Sequence, residues 1–286
     1  MNIPVHPIQV LSVSDSEATV EQADLLATEE PLAIRLGYGS LDKRQQRQLV
    51  VTMRTPGHDV ELSLGFLFSE GIIHRHQDVV SIRHCRRVKR PEEQANTVRV
   101  ELSPSVEVDW EKLQRYSYMS SSCGVCSKTS IDSLDALCPS SLPNTFVVNP
   151  RVIYAAPDQL RRAQLIFNRT GGLHAAGLFS PEGELVRWHE DIGRHNALDK
   201  LIGSALADGC LPLNQTFVLL SGRISFELVQ KALMAGVPML AAVGAPSSLA
   251  VSLATTYGMT LLGFVRQRRF NIYTCPNRVA QLPFTV

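Results

Sequence analysis

The stretch FVLLSGRISFELVQKALMAGVPMLAAVGAPSSLAVSLATTYGMTLLGFV, residues 217–265, determines the fold class. Short apolar runs alternate there with longer segments whose apolar residues recur at helical spacing. The first pattern is typical of buried strands and the second of amphipathic helices. The stretch therefore predicts strands at Phe217–Leu220, Met239–Val243 and Leu261–Val265, and helices at Phe226–Ala235 and Leu249–Tyr257.

The same alternation extends back to about Phe146, with a strand at Leu185–His189 before a helix at Asn196–Ala207. Strands that alternate with helices predict a sheet with helices packed on its faces. If the strands run parallel, their three strand-to-helix turns lie along one edge of the sheet. Open α/β folds bind ligands at such an edge.

The first third of the chain has an α+β pattern. A predicted strand at Gln48–Arg54 leads into a turn at Thr55–Gly57, and Asp59 is placed to cap an apolar helix that stops near Gly71. Thr97–Leu102 alternates like a second strand. We therefore expect a smaller α+β region at 1–120, a cysteine loop with its following helix at 121–145, and an α/β region at 146–286.

Composition and charge exclude several classes of protein. The 286 residues carry 28 basic and 27 acidic side chains, so no general field favours nucleic acid or an anionic membrane. The sequence holds no continuous apolar run of about twenty residues, and Met1–Val10 lacks a basic segment followed by an apolar one. We expect a cytoplasmic protein that neither binds nucleic acid nor inserts into a membrane.

Two cysteines stand close together in the stretch SSSCGVCSK, residues 120–128. Serines and Gly124 predict a flexible approach, and the residues from Val125 onward are spaced for a helix. Cys123 and Cys126 would then lie at a helix N-terminus, where free amides and the nearby Lys128 favour the thiolate. A thiolate is the state that a sulfur acceptor needs.

Three other interpretations of this cysteine pair stay open. Structural zinc needs four ligands, and the sequence offers only His84-Cys85 as a poorly spaced complement. A thioredoxin-like dithiol usually opens a helix directly after a strand, whereas a serine-rich loop comes first here. Two packing cysteines fit poorly beside such polar neighbours. We expect no zinc.

Cationic residues cluster at the predicted strand-to-helix turns. Arg194 and His195 fall in or just before the first turn of a helix, where the helix dipole disfavours cations, and a bound anion would resolve this conflict. Ordinary capping or surface charge could explain each signal alone, but their convergence on one edge favours a phosphorylated ligand. The further donors are Ser221-Gly222-Arg223, Ala245-Pro246-Ser247-Ser248, Arg266, Arg268 and Arg269.

His174, His189 and Asp199 are candidates of a weaker kind. Such residues are more often hydrogen-bonded in the core than catalytic.

The sequence contains, in this order, the blocks Arg54-Thr55-Pro56-Gly57, Gly65-Phe66-Leu67, Glu70-Gly71-Ile72, the cysteine loop, Thr170-Gly171-Gly172 with His174, Glu190 to Asn196 with Asp199-Lys200, Ser221-Gly222-Arg223 with Ser225-Phe226-Glu227, Ala245 to Ser248, and Gly263-Phe264. Over most of the chain, these blocks resemble the formate dehydrogenase accessory sulfurtransferases. So many matches in one order make chance similarity improbable. One departure is Ser127, where that family commonly has glycine.

The resemblance implies a cytidine-deaminase-like three-layer α/β fold, with a mixed sheet and helices on both faces, in a homodimer. It implies a sulfurtransferase that takes sulfur from a cysteine desulfurase and passes it to the bis-guanine-dinucleotide molybdenum cofactor, which formate dehydrogenase requires. By position, Cys123 looks like the persulfide-bearing cysteine and Cys126 like its partner.

The segment Phe264–Arg269 resembles the cofactor-binding stretch of that family. The complete set of predicted cofactor-binding residues is Arg194, His195, Ser221, Gly222, Arg223, Ser247, Phe264, Val265, Arg266, Gln267, Arg268 and Arg269.

Two other functions compete with sulfur transfer. A zinc deaminase would show His-x-Glu followed later by Pro-Cys-x-x-Cys, but here His174 is followed by two alanines and the cysteine pair comes before it. Deamination is therefore disfavoured. A non-catalytic chaperone that holds the molybdenum cofactor and delivers it to formate dehydrogenase would use the same edge without needing the cysteines.

Overall fold

A computed structural model of the protein describes residues 4–15, 19–85, 94–111, 113, 142, 146–266 and 268–280. Its strands are β1 Val5–Ser12, β2 Val20–Ala27, β3 Glu30–Tyr38, β4 Gln45–Arg54, β5 Val79–His84, β6 Thr97–Leu102, β7 His174–Phe179, β8 Leu185–Asp191, β9 Phe217–Leu220, β10 Met239–Ala242, β11 Thr260–Arg266 and β12 Arg269–Thr274. Its helices are α1 Asp59–Ser69, α2 Pro150–Ala163, α3 Leu165–Thr170, α4 Arg194–Ala207, α5 Phe226–Met234 and α6 Ser248–Thr256.

The larger sheet has six strands in the order β12-β11-β10-β9-β7-β8. Strands β9, β10 and β11 are parallel, whereas β7 runs antiparallel to both of its neighbours and β12 antiparallel to β11. Alternate residues of the short strands enter two different cores: Val218 and Leu220 pack in one, and Phe217 and Leu219 in the other. Burial on both faces explains why these strands are continuous apolar runs. The predicted mixed sheet with helices on both faces is confirmed.

The smaller sheet has four strands in the order β4-β3-β6-β5. Its inner face carries Leu32, Ile34, Leu36, Val98 and Val100, which are fully buried in the same core as α1 and α4. Because side chains alternate along a strand, the intervening residues form an outer, polar face. Strands β1 and β2 form a separate antiparallel ribbon.

Helices α1 and α4 join the two sheets through an unusually close contact. A Cβ atom added to Gly65 would lie 1.8 Å from the backbone oxygen of Asp199, and one added to Gly203 would lie 1.8 Å from that of Glu61. Real Cβ atoms do not approach so closely. The two glycines therefore let the helix backbones touch.

Buried charges hold the same contact. The Lys231 ammonium on α5 lies 2.9 Å from both carboxylate oxygens of Asp199 on α4, and Ser69 donates to that carboxylate over 2.9 Å. Burial raises the pKa of Glu70, which lies 3.6 Å from the same ammonium. Burial opposes the charge of Lys231, but Asp199 and Glu70 together raise its pKa. The three helices are thus joined by one ionic group.

Several sequence predictions need correction. Asp59 does not cap α1: His58 precedes the helix with a φ of 58°, and Asp59 binds Arg54 instead. Strand β7 and helix α2 were absent from the sequence interpretation. The predicted cysteine-loop helix lies outside the described residues, and the three predicted regions stay a prediction.

None of the helices in the described ranges has the length and apolar character needed to cross a membrane.

Replacing Gly203 with alanine should destabilise the protein by about 1–3 kcal/mol, because the new methyl group overlaps the α1 backbone. Intrinsic helix propensity alone would predict that alanine at this position increases the stability of the protein. Urea unfolding of Gly203→Ala beside Ser252→Ala, an exposed position on α6, measures the difference. A Gly203→Ala protein as stable as wild type would contradict the close contact.

Candidate functional site

One edge of the six-stranded sheet collects the predicted ligand-binding turns. Strands β8, β9, β10 and β11 end there, and β7 and β12 begin there, as their registers show. The predicted convergence of three strand-to-helix turns is confirmed. The antiparallel β7 lies between β8 and β9, which places His174 at the same edge.

Backbone hydrogen bonds connect the turns at this edge. Gly244 donates to the carbonyl of Gly222 over 3.0 Å, Ile224 donates to Ala245 over 3.1 Å, and Phe264 donates to Gly244 over 3.1 Å. A Cβ atom on Gly244 would lie 2.9 Å from the Gly222 oxygen. Glycine at 244 thus lets successive turns pack as one surface.

A fully buried carboxylate fixes the turn before α4. Asp191 accepts hydrogen bonds from the Gly193 amide at 2.9 Å and from the Asn196 side chain at 3.0 Å. Its second oxygen lies 2.7 Å from the buried ammonium of Lys200, which also donates to the Thr55 carbonyl. The Thr55 amide donates to Asp191 over 3.3 Å. This network connects the turn after β4 to the turn after β8, so two of the sequence blocks are neighbours in space.

Arg194 is the first residue of α4 and lies half-buried at the edge. Its Nε atom is inaccessible to solvent and has no hydrogen-bond partner among the described residues. Burial lowers the pKa of His174, and the nearby charges of Arg194 and His195 lower it further against the opposite effect of Asp191. The site therefore joins a buried guanidinium donor with an imidazole that favours its neutral form.

His195 has partners on α5. Its Nε2 atom lies 3.1 Å from the Ser225 hydroxyl and 3.8 Å from the Glu227 carboxylate. The nearby His195 imidazole, with the Ser225 hydroxyl, lowers the pKa of Glu227 to about 2. His195 is thereby held in a fixed orientation beside Arg194.

The two predicted serines have structural partners. Ser221 accepts from the Ala175 amide over 2.8 Å, which extends the pairing of β7 with β9. Ser247 caps α6 by accepting from the Ala250 amide over 3.2 Å. Arg223, in the same turn as Ser221, is exposed.

The predicted stretch at 264–269 joins β11 to β12. Phe264 has a φ of 54° and Arg268 a φ of 62°, and the Arg266 guanidinium lies 5.9 Å from the centre of the Phe264 ring. Val265 is fully buried in the core, while Arg266, Arg268 and Arg269 are exposed. Gln267 and the two predicted catalytic residues, Cys123 and Cys126, lie outside the described residues.

A pair of histidines beside the edge was not expected from the sequence. The rings of His58 and His189 meet edge to face with centroids 4.6 Å apart. Burial, with the nearby His58, lowers the pKa of His189 to about 4. A hydrogen bond from His58 lowers the pKa of Glu61 to about 2. The sequence carries no signal for this group because its members are far apart along the chain.

Comparisons with known proteins agree on one family. The model of the FdhD/NarQ family matches residues 27–280. The chain is 46% identical over 275 residues to the sulfur carrier protein FdhD of Streptomyces avermitilis, covering 95% of this chain and 94% of the relative. It is 38% identical over 279 residues to the sulfur carrier protein FdhD of Saccharolobus solfataricus, covering 98% and 100%.

One solved structure shows the same fold. It comes from Desulfotalea psychrophila and is described as a candidate formate dehydrogenase accessory protein. The two structures superpose with a TM-score of 0.75 at 24% identity, covering 97% of this chain and 100% of the other.

As the pH falls from about 6.5 to about 4, the free energy of unfolding should decrease because of His189, whose pKa drops from 6.5 to about 4 on folding. Across that window the unfolded chain takes up a proton that the buried imidazole does not. Glu61 acts at lower pH, since its depressed pKa stabilises the fold above pH 4.5 and that contribution is lost toward pH 2. From pH 7 to pH 4, the free energy of unfolding of His189→Gln should fall by on the order of 2 kcal/mol less than that of wild type. Urea unfolding across this pH range measures the difference.

The matched control is His76→Gln, at an exposed position. If the pH profiles of wild type and His189→Gln ran parallel, the assignment of the decline to His189 would be wrong.

Proposed function

The chain belongs to the FdhD/NarQ family, and from this premise we propose that it is a sulfurtransferase that serves formate dehydrogenase. It accepts sulfur from a cysteine desulfurase as a persulfide and passes it to the bis-guanine-dinucleotide molybdenum cofactor. The observation that carries this proposal is the similarity to sulfur carrier proteins along nearly the whole chain.

Cys123 is the proposed sulfur carrier. Its thiolate attacks the terminal sulfur of the desulfurase persulfide, so that a new S–S bond forms on Cys123 while the bond to the donor cysteine breaks. The donor leaves as a thiolate, and no external oxidant is needed. Cys126, three positions along, receives, resolves or relays the sulfur.

The edge of the six-stranded sheet is the proposed binding site for the substrate cofactor. Arg194 supports this role because its buried Nε has no partner within the described part of the chain, and a phosphate oxygen would supply one. Arg223 and Arg266 add exposed guanidinium groups at neighbouring turns. Phosphates held here would position the cofactor, and the cysteine would react.

The remaining features of the proposal come from the family resemblance. They are a cytidine-deaminase-like fold, a homodimer, a cytoplasmic location, and docking to a cysteine desulfurase and to formate dehydrogenase. No resident metal is required, because the molybdenum enters as part of the substrate.

A cofactor-holding chaperone is the alternative. The edge of the sheet is equally compatible with a chaperone and with a sulfurtransferase, because the hydrogen bonds that connect its turns do not involve the cysteine pair. The two functions differ at the cysteines. A chaperone should tolerate serine at both Cys123 and Cys126, whereas a sulfurtransferase should lose formate dehydrogenase activation.

Incubation with a cysteine desulfurase and cysteine should add one sulfur atom to the wild-type protein, and Cys123→Ala should abolish the addition. Intact-protein mass spectrometry before and after a reductant measures it. Cys210→Ala, at an exposed cysteine, is the matched control and should still gain sulfur. Sulfur addition to Cys123→Ala at the wild-type level would assign the carrier to another residue.

Arg194→Gln should weaken binding of GDP, a probe for the guanine-dinucleotide end of the cofactor, by about tenfold, since one charge-assisted contact is lost. Isothermal titration beside Arg162→Gln, an exposed arginine on α2, measures the effect. Sulfur addition should be unchanged in both variants. Equal GDP affinity in Arg194→Gln and wild type would show that the edge of the six-stranded sheet is not the cofactor-binding site.

A further inference from the structure

Three arginines form a row across the outer face of the four-stranded sheet. In the strand register, Arg35 on β3 lies directly opposite Arg99 on β6, and Arg99 lies directly opposite Arg83 on β5. Residues that face each other across paired strands point to the same side of the sheet. The three guanidinium groups therefore share one surface.

Such a row is electrostatically unfavourable by itself, because like charges directly opposite each other destabilise a sheet. Arg99 has a partner in Glu101, but that carboxylate also accepts from Arg44 over 2.6 Å. Burial opposes the charge on Glu101, yet the two arginines keep its pKa below the ordinary value. Arg35 and Arg83 have no ion pair with any residue that the structure describes, so within the described part of the chain the row carries more positive than negative charge.

The row lines one wall of an open groove of about 1320 Å³. The segment 56–61 also lines this groove, and its carboxylates are already engaged. Asp59 is bound by Arg54 over 2.9 Å, and Glu61 lies 3.2 Å from His58. The groove therefore offers donors to a ligand, while the carboxylates of Asp59 and Glu61 are already paired.

We propose that this groove binds an extended acidic segment of a partner protein, with carboxylates on alternate residues paired to the row of arginines. Guanidinium groups bind carboxylates through two parallel hydrogen bonds. Neighbouring strands are about 4.8 Å apart, so the row spans roughly 10 Å, and alternate residues of an extended peptide are about 6.6 Å apart. Two carboxylates of one segment can thus reach the row together.

Two observations favour a peptide over a nucleotide. The groove is larger than the roughly 300–1,000 Å³ of ordinary small-molecule sites. Its described lining contains no Phe, Tyr or Trp, and its two histidines, His58 and His84, lie beside Glu61 and Asp59. The groove therefore offers few rings for a base to stack on. The inference does not depend on the sulfur-carrier proposal, and it concerns arginines that are not part of the sheet edge.

Fluorescence anisotropy tests the inference with a labelled peptide of eight residues in which glutamate and serine alternate. Arg35→Gln/Arg83→Gln should weaken binding by about tenfold and reduce its dependence on salt. Arg161→Gln/Arg162→Gln removes the same charge from the surface of α2 and should bind like wild type. A peptide with glutamine in place of glutamate should not bind.

Folding of the variants can be checked separately. Removing like charges from the row should leave the melting temperature unchanged or slightly raised. Arg83→Gln alone, at an exposed position, should show part of the affinity loss. This single variant replaces the double variant in the binding test if the double variant is unstable. Equal affinities of the two double variants, or binding of pyrophosphate as tight as that of the peptide, would overturn the inference.

Discussion

The contact between α1 and α4 is the constraint on which the rest of the structure depends. Each helix packs on a different sheet, and their backbones touch at Gly65 and Gly203. The inner face of the four-stranded sheet therefore shares one apolar core with one face of the six-stranded sheet. The turn after β4 comes to lie beside the turn after β8 as a direct result.

Buried charges give this contact a unique geometry. Asp191 with Lys200, and Asp199 with Lys231, place acidic groups of β8 and α4 against cations that have little access to water. Ion pairs of this kind add little net stability, but separating the partners costs about 3–5 kcal/mol. A shifted arrangement of the helices would leave these charges unpaired, so the network selects the correct register. The same network sets the turn from which Arg194 projects.

The α/β half of the fold could be predicted from the sequence because its signals are local. The strand at Phe217–Leu220 was predicted with its observed bounds, and α4 begins two residues before its predicted start. The role of Asp59 was missed, because a side chain that suits a helix cap is equally suited to a bidentate pair with Arg54. Strand β7 was missed because a run of small residues gives a weak strand pattern.

The candidate site likewise has features that could be predicted from the sequence and features that could not. The convergence of turns at one edge follows from strand order and was predictable, whereas the buried Nε of Arg194 and the pairing of His58 with His189 depend on packing between distant segments. No pattern of spacing contains such information. The cysteine pair is the reverse case, since its chemistry is inferred from sequence and its residues lie outside the described part of the chain.

The backbone hydrogen bonds that connect the turns of the sheet edge have a consequence for the evolution of this protein. Main-chain donors and acceptors are the same for nearly every amino acid, so side chains at these turns can be exchanged without dismantling the surface that displays them. Selection can then alter which ligand is preferred while the scaffold stays constant. The glycines, in contrast, cannot drift, because Gly244 has no room for a side chain. Divergence among descendants of this fold should therefore spare these glycines, whereas a change of preferred ligand should require substitution of the arginines and histidines of the edge.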